Sequence, residues 1–203
     1  MVKTTQLSSS EQEQSGLSNE EKVSLYNTFT QLVYEMSSNL PPVCNVKLLP
    51  IAKIKANGYK ANTMEPAERD LLKRSLLIDG ITSPIIVNKI DKGKAFTIID
   101  GVHRFELIQS HPVLQPIPGY APCVVFDTCL PNCMSSSIRH NSARGTMDSE
   151  AFADLVINLV QLGWSNERIN QEIGMFDGEI SKMLQVGDLG EYSRQTSLSA
   201  YLE

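Results

Sequence analysis

Apolar residues recur along this chain with two different periods, and the places where the period changes mark its elements. Leu25, Phe29, Leu32, Val33 and Met36 fall on one face at helical spacing. Ser18 and Glu21 ahead of them form a Ser-x-x-Glu capping pattern, and Pro41-Pro42 stops the helix. That apolar stripe is expected to pack on the chain's own core, with a dimer face as the alternative. Val46 to Ile54 reads as a strand and Ala56 to Tyr59 as a loop. Pro66 to Ile78 reads as a helix with Leu71, Leu72, Leu76 and Leu77 on its face and Gly80 as its left-handed cap. Pro84 to Asn88 and Phe96 to Ile99 are short apolar strands around the turn Asp91-Lys92-Gly93-Lys94, a hairpin. Asp100-Gly101 ends the second strand, and a helix over Val102 to Gln109 begins at once.

A Pro-rich loop, 112–122, precedes a strand at Cys123 to Phe126, and Asn132 to Arg144 is helical in pattern. Glu150 to Leu162 is a helix that buries Phe152, Leu155, Val156, Leu159 and Val160. Gly163 ends it. Ser165 caps a second helix to Ile173, and after Gly174 a third begins near Asp177 with Ile180, Met183 and Leu184 inward. This is helix-turn-helix spacing. The fold class is therefore α+β: a small mixed-sheet domain followed by an all-helical helix-turn-helix domain, with an N-terminal helix in front. The divisions are a disordered tail at 1–16, an N-terminal amphipathic helix at 17–45 and an α/β domain at 46–128. A connecting helix at 129–148, the helix-turn-helix at 149–186 and a C-terminal tail at 187–203 follow.

Composition narrows the class. The 203 residues are 41% hydrophobic and 20% charged, enough for one core with a helical appendage and too apolar for a disordered chain. No apolar run approaches the ~20 residues of a membrane helix, and the polar start has no signal core. Four cysteines in a chain of this length do not form a disulfide framework. The spacings of Cys123, Cys129 and Cys133 are not those of zinc ligands, so no metal site is expected. The expectation is a cytoplasmic protein with no membrane partner. Net charge is −5, unevenly spread: residues 46–128 carry +3, and residues 149–203 carry −6. Anionic ligands belong in the middle.

The strongest local pattern is Ile98-Ile99-Asp100-Gly101-Val102-His103-Arg104-Phe105. A helix start offers free N–H groups and a positive dipole end. Gly101 lets an anion approach the backbone, and His103 and Arg104 in the first turn reach the same oxygens, which describes a phosphate site. The same residues also suit a capped helix carrying two surface cations.

Three blocks occur in order: Gly80-Ile81-Thr82-Ser83-Pro84-Ile85-Ile86-Val87, Asp100-Gly101-Val102-His103-Arg104, and His140-Asn141-Ser142-Ala143-Arg144. Together with Leu49 to Asn57 they resemble the ParB/sulfiredoxin superfamily over about residues 46–148. The helix-turn-helix that follows matches ParB organisation, and the whole order looks most like IbrB-type co-activators of prophages and plasmids. The resemblance implies a ParB/sulfiredoxin-like sheet domain and a nucleotide pocket. That pocket is formed by Gly80, Thr82, Ser83, Asp100, Gly101, His103 and Arg104, and completed by Asn141 and Arg144. Its ligand would be a nucleoside triphosphate, CTP or ATP, with Mg2+. Three departures stand out: Ser83 replaces the usual Gln, Val102-His103 replace Glu-Arg, and His140 replaces the Glu of the magnesium block. Sulfiredoxin's nucleophilic cysteine position is Val102, so that chemistry is not expected.

The implied function is a DNA-associated regulator, either a transcriptional co-activator or a partition-type protein. Residues 149–186 hold Arg168 and Lys182 against six acidic side chains, so this module alone would grip duplex weakly. Ser165, Arg168, Ser181 and Lys182 are its candidate DNA contacts. A homodimer or the basic middle domain would compensate. The resemblance also implies a protein partner related to phosphoadenosine-phosphosulfate reductases. The rival is a phosphotransferase or NTPase resembling free-serine kinases, with Asp100 or Glu106 as base. A ParB-like nuclease is a third reading, for which the sequence offers no metal-carboxylate cluster.

Overall fold

The computed structural model describes residues 16–37, 39–57, 64–142 and 149–188. Helix α1 spans Asn19–Glu35, and both halves of its capping box are formed by Ser18 and Glu21. Strand β1 (Val46–Pro50) follows a single 3-10 turn. The expected strand to Ile54 is broken at Ile51–Lys53 by another such turn, leaving a two-residue β2 (Ile54–Lys55). Pro50 starts that turn because its ring fixes φ and it has no N–H to donate.

Helix α2 (Pro66–Asp79) begins with proline in its first turn and ends at Gly80, whose φ of 75° disfavours any other residue. Strands β3 (Ile85–Ile90) and β4 (Ala95–Asp100) form the expected hairpin, with Asp91, Lys92 and Gly93 all at positive φ in the turn. Helix α3 (Val102–Ser110) starts directly after β4. Strand β5 (Tyr120–Phe126) begins three residues earlier than its apolar run suggested and includes Pro122, which lies opposite Leu48.

The sheet order is β1-β5-β3-β4-β2. β1 runs antiparallel to β5, β5 parallel to β3, β3 antiparallel to β4 and β4 parallel to β2. One face carries Ile85, Val87, Phe96, Ile98, Ala121 and Cys123, which pack with Leu76 of α2 and Phe105, Leu107 and Ile108 of α3. The other face meets α4 (Leu130–Ser142), where three consecutive serines, 135–137, are buried and Ser137 Oγ donates to the Ile99 carbonyl at 3.0 Å.

Helix α4 also joins the second core. There Met134 and Ile138 pack with Leu155, Val156 and Leu159 of α5 (Ser149–Gln161), with Trp164, with Ile169 of α6 (Asn166–Ile173) and with Ile180 of α7 (Asp177–Asp188). These are the helices and the turns the spacing predicts: Ser165 caps α6, and Gly174 closes it at φ 82°. The helix-turn-helix therefore has its own core and meets the sheet domain through α4.

The expectation for α1 is overturned. Its apolar stripe faces outward, with Leu25, Phe29, Leu32, Val33 and Met36 between half and 85% exposed, and among the helix residues Val23 alone is fully buried. The reason is the surface the helix sits on. β1 is a sheet edge, whose backbone N–H and C=O groups need polar partners. The opposite, polar face of α1 supplies them: the Asn27 amide accepts from Leu48 N–H at 2.8 Å and donates to Leu48 C=O at 2.9 Å. Lys47 donates to the Asn27 carbonyl and to Thr30 Oγ1. The face of α2 is corrected in the same sense, since Leu76 is buried but Leu71 and Leu77 are exposed.

Candidate phosphate site at the start of helix α3

β4 delivers Asp100, buried, to the end of the sheet, and Gly101 turns the chain into α3 with φ 94° and ψ 26°. A side chain at 101 would be strained by that φ and would also press on the Arg104 guanidinium, which lies 3.0 Å from where a Cβ would stand. The N-cap residue is glycine and brings no side-chain cap of its own, and the positive dipole end of the helix faces the Gly101 turn.

Arg104 packs its guanidinium over the Gly101 turn. Its Nη1 donates to the carbonyls of Ser83 at 2.6 Å and Pro84 at 2.9 Å, and its Nη2 lies 3.4 Å from Asp100 Oδ2. The side chain is 13% exposed. It therefore clamps three segments together: the 80–84 loop, the end of β4 and the first turn of α3. This use of Arg104 differs from the phosphate-reaching role expected of it. A guanidinium carries its donors in a fixed fork, and two carbonyls and a carboxylate take up much of that geometry.

His103 is placed differently. Both ring nitrogens are buried and without a hydrogen-bond partner, and Nδ1 is 3.7 Å from Glu106 Oε2. Glu106 is itself held by Arg69 of α2 at 2.6 Å. Thr82 and Ser83 are exposed on the loop that Arg104 anchors. Asn141 lies on α4 one turn beyond Ser137, which touches Ile99. It is buried, and its amide donates to the Ser137 carbonyl at 2.9 Å. Arg144 lies outside the described residues.

The features here that suit an anion are a helix start that turns on a positive-φ glycine and an imidazole in its first turn. They do not fit the magnesium ion that ParB-like nucleotide binding implies. The one carboxylate at the turn, Asp100, already faces the Arg104 guanidinium, and position 140 is histidine. Among the described residues no three His, Cys, Asp or Glu side chains come together as a metal site.

A cavity of about 530 Å³ lies at the other end of the sheet, lined by Tyr34, Asn45, Lys47, Lys89, Phe96 and Phe126 among others. Its lysines are committed, Lys47 to α1 and Lys89 to Asp127 at 2.9 Å. The loop chemistry thus lies at the opposite end of the sheet from this cavity.

In the helix-turn-helix, Arg168 stacks over the Trp164 ring at 4.0 Å and donates to Asn132 Oδ1 of α4. Ser165 Oγ accepts from the Arg168 N–H as the α6 cap. Both residues thus serve the packing of the module. Ser181 and Lys182 are exposed on α7. The sequence did not reveal that Arg139 pairs with Glu172 at 2.8 Å, tying α4 to α6 a second time.

The comparisons follow this division of the chain. Residues 36–128 match the model of the ParB N-terminal domain, and residues 149–195 match the IbrB-like C-terminal HTH domain. The uncharacterized protein YbdM of Escherichia coli (strain K12) is 32% identical over 177 residues, covering 86% of this chain and 84% of that protein. Among solved structures, the C-terminally truncated chromosome-partitioning protein ParB from Caulobacter crescentus complexed to the centromeric parS site aligns at 18% identity and TM-score 0.45, over 68% of this chain and 69% of its own. The same protein complexed with CTP-gamma-S aligns at 17% and 0.42, over 78% and 92%. No helix among the described residues is long and apolar enough to cross a membrane. With both domain models matched in order and a relative aligned along most of its length, the chain belongs to the family that joins a ParB N-terminal domain to an IbrB-like C-terminal helix-turn-helix.

Proposed function

We propose that the chain is a DNA-associated regulator of the ParB type whose α/β domain takes the phosphate groups of a nucleotide at the start of α3. The observation that carries the ligand half is His103, whose two ring nitrogens are buried without hydrogen-bond partners in the first turn of α3. An orphaned buried polar group costs about 1–3 kcal/mol, and an oxyanion seated on the α3 N–H groups would offset that cost. In this reading Arg104 is a positioning residue that holds the 80–84 loop as the pocket wall. Gly80, Thr82, Ser83 and Asn141 line the approach.

Binding is favoured over phosphoryl transfer because the two candidate bases are engaged, Asp100 with Arg104 and Glu106 with Arg69. DNA contact falls to Ser181 and Lys182 on α7, with Ser165 and Arg168 shaping the module behind them. With Lys182 as the module's one contacting cation the salt slope of binding would be shallow, about −1 per module. A reductase-like protein partner of the phosphoadenosine-phosphosulfate type belongs to the same reading and adds that nucleotide to the probes.

The test is a melting-temperature panel with CTP, ATP, ADP, GTP and a phosphosulfate nucleotide, run on wild type and His103→Ala. A ligand at ~100 times its dissociation constant adds about 2.7 kcal/mol. One nucleotide stabilising the wild type and not the variant supports the site. Equal stabilisation of both, or of neither, removes it. A mobility shift with duplex DNA at low salt, abolished by Lys182→Glu, tests the other half.

A further inference from the structure

We propose that two copies of this chain pair through the outward face of α1. That face is inverted relative to an ordinary surface helix. Asn27, Thr30, Gln31 and Tyr34 are the side turned to the protein, and Leu25, Phe29, Leu32, Val33 and Met36 are the side turned to water. The helix does not hold its position by burying this stripe. Hydrogen bonds to the β1 edge, two of them from one Asn27 amide, already fix it in place. The stripe is therefore surplus to the fold of one copy.

Its size and spacing identify what covers it. With Tyr26 at its flank the stripe leaves on the order of 600 Å² of apolar surface in water, at the upper end of the largest patch a soluble monomer carries. Two such faces together reach on the order of 1,200 Å², the lower limit of a specific interface. Leu25, Phe29, Leu32 and Met36 are separated by four, three and four residues, the alternation that seats side chains of one helix between those of another.

Between Leu25 and Met36 the single charged residue is Glu35, which accepts from the Gln31 amide on the inner flank, so the seam positions themselves carry no charge. A second α1 has the same length, the same spacing and the same uncharged seam, and a two-fold axis makes the surface its own complement. β1 is an edge strand and β4 lies three strands away in the sheet, so this pairing leaves the Gly101 turn uncovered. The proposal stands independently of any ligand or DNA.

Sedimentation equilibrium on the full chain between 1 and 100 µM tests it. Wild type should show twice the 22.5 kDa chain mass, and Phe29→Glu/Leu32→Glu should show one chain mass with an unchanged circular dichroism spectrum. Leu77→Glu/Ile78→Glu, on the exposed side of α2, is the comparison and should remain paired. If the α1 variant misfolds, Leu32→Cys in a Cys44→Ser/Cys129→Ser background replaces it, and mild oxidation should yield a covalent dimer. A monomeric wild type at 100 µM would hand this face to a different protein and overturn the proposal. So would an α1 variant that stays dimeric, an α2 variant that dissociates, or failure of the cysteine variant to cross-link.

Discussion

Replacing Arg104 with alanine separates a structural clamp from a ligand contact. As a clamp, Arg104 donates to two backbone carbonyls at 2.6 and 2.9 Å and faces a carboxylate that is only 4% exposed. Each hydrogen bond from a charged donor is worth about 1.5–3 kcal/mol, and removing one partner of a buried ion pair costs about 3–5 kcal/mol because the other charge stays in place. These terms overlap, since one side chain makes them all, so the expected loss for Arg104→Ala is about 3–5 kcal/mol rather than their sum. For a chain of this size about 2–4 °C accompanies each kcal/mol, a fall in melting midpoint of roughly 10 °C. Urea unfolding followed by far-ultraviolet circular dichroism measures the loss without any ligand present. Arg104→Lys should recover only part of it, because an ammonium on a flexible stem does not reproduce a guanidinium's fork. Asp100→Asn in the alanine background should recover more, by removing the charge left behind. A loss below about 1 kcal/mol for Arg104→Ala would refute the clamp and return the side chain to ligand binding. If the clamp holds, loss of nucleotide binding in Arg104→Ala reports a collapsed loop, and His103→Ala becomes the informative variant.

Three further outcomes are expected. Burial pushes the Cys123 thiol up to about 12 and the Cys133 thiol to about 11, whereas Cys44 and Cys129 are exposed. Two thiols should therefore react with a disulfide reagent at pH 8 in the native protein and all four in denaturant, and four fast thiols in the native protein would contradict the packing. Trp164→Ala should cost about 3–5 kcal/mol, concentrated in the helical unit, because the ring is buried among α4, α5, α6 and α7 residues and carries the Arg168 stack. Hydrogen exchange that accelerates equally across the sheet would refute the separation of the two cores. Hydrogen bonds from the Ser18 backbone and hydroxyl hold the Glu21 carboxyl below the ordinary glutamate value. A folded pKa below the unfolded one stabilises above the unfolded value and ceases to as pH falls through the folded one. The first turn of α1 should accordingly fray in acid, and a Glu21 titration by NMR at the free-peptide value would contradict the capping box.

The sequence displays the elements more readily than their orientations. Strand-end, glycine and helix-start residues at 98–105 identify the turn because each acts locally: Gly101 adopts a φ that other residues avoid, and α3 starts where the apolar strand stops. The helix-turn-helix is legible for the same reason, its caps at Ser165 and Gly174 being local too. The face of α1 is not. Periodicity reports that a helix has two sides, and burial depends on what the partner surface needs; an unpaired strand edge needed Asn27, not Leu25. Pro122 hid the start of β5, since proline argues against a strand interior, yet here it stands opposite Leu48 in the β1–β5 ladder. At the site, the cationic pair His103-Arg104 looked like one unit. Adjacent helical positions point about 100° apart, so Arg104 reached the carbonyls of the 80–84 loop while His103 came to lie beside Glu106.

Helix α4 touches both candidate activities. Towards the sheet, Ser137 bonds the Ile99 carbonyl just before Asp100 and Gly101, with Asn141 one turn further along. Towards the helical unit, Asn132 receives Arg168, Arg139 pairs with Glu172, and Met134 and Ile138 enter the second core. The two kinds of contact differ in strength. The Arg139–Glu172 pair is nearly half exposed on both sides and contributes at most about 1 kcal/mol, whereas the Met134 and Ile138 side chains are fully enclosed. The joint between the domains is therefore mainly apolar. A ligand that changes the position of Asn141 would act on a rigid helix whose other side is already committed to the helix-turn-helix core. Coupling of that kind requires a ligand with different affinity for two arrangements of α4, so the place to look for it is the Ser137–Ile99 hydrogen bond, the point where the sheet and the helix meet beside the Gly101 turn.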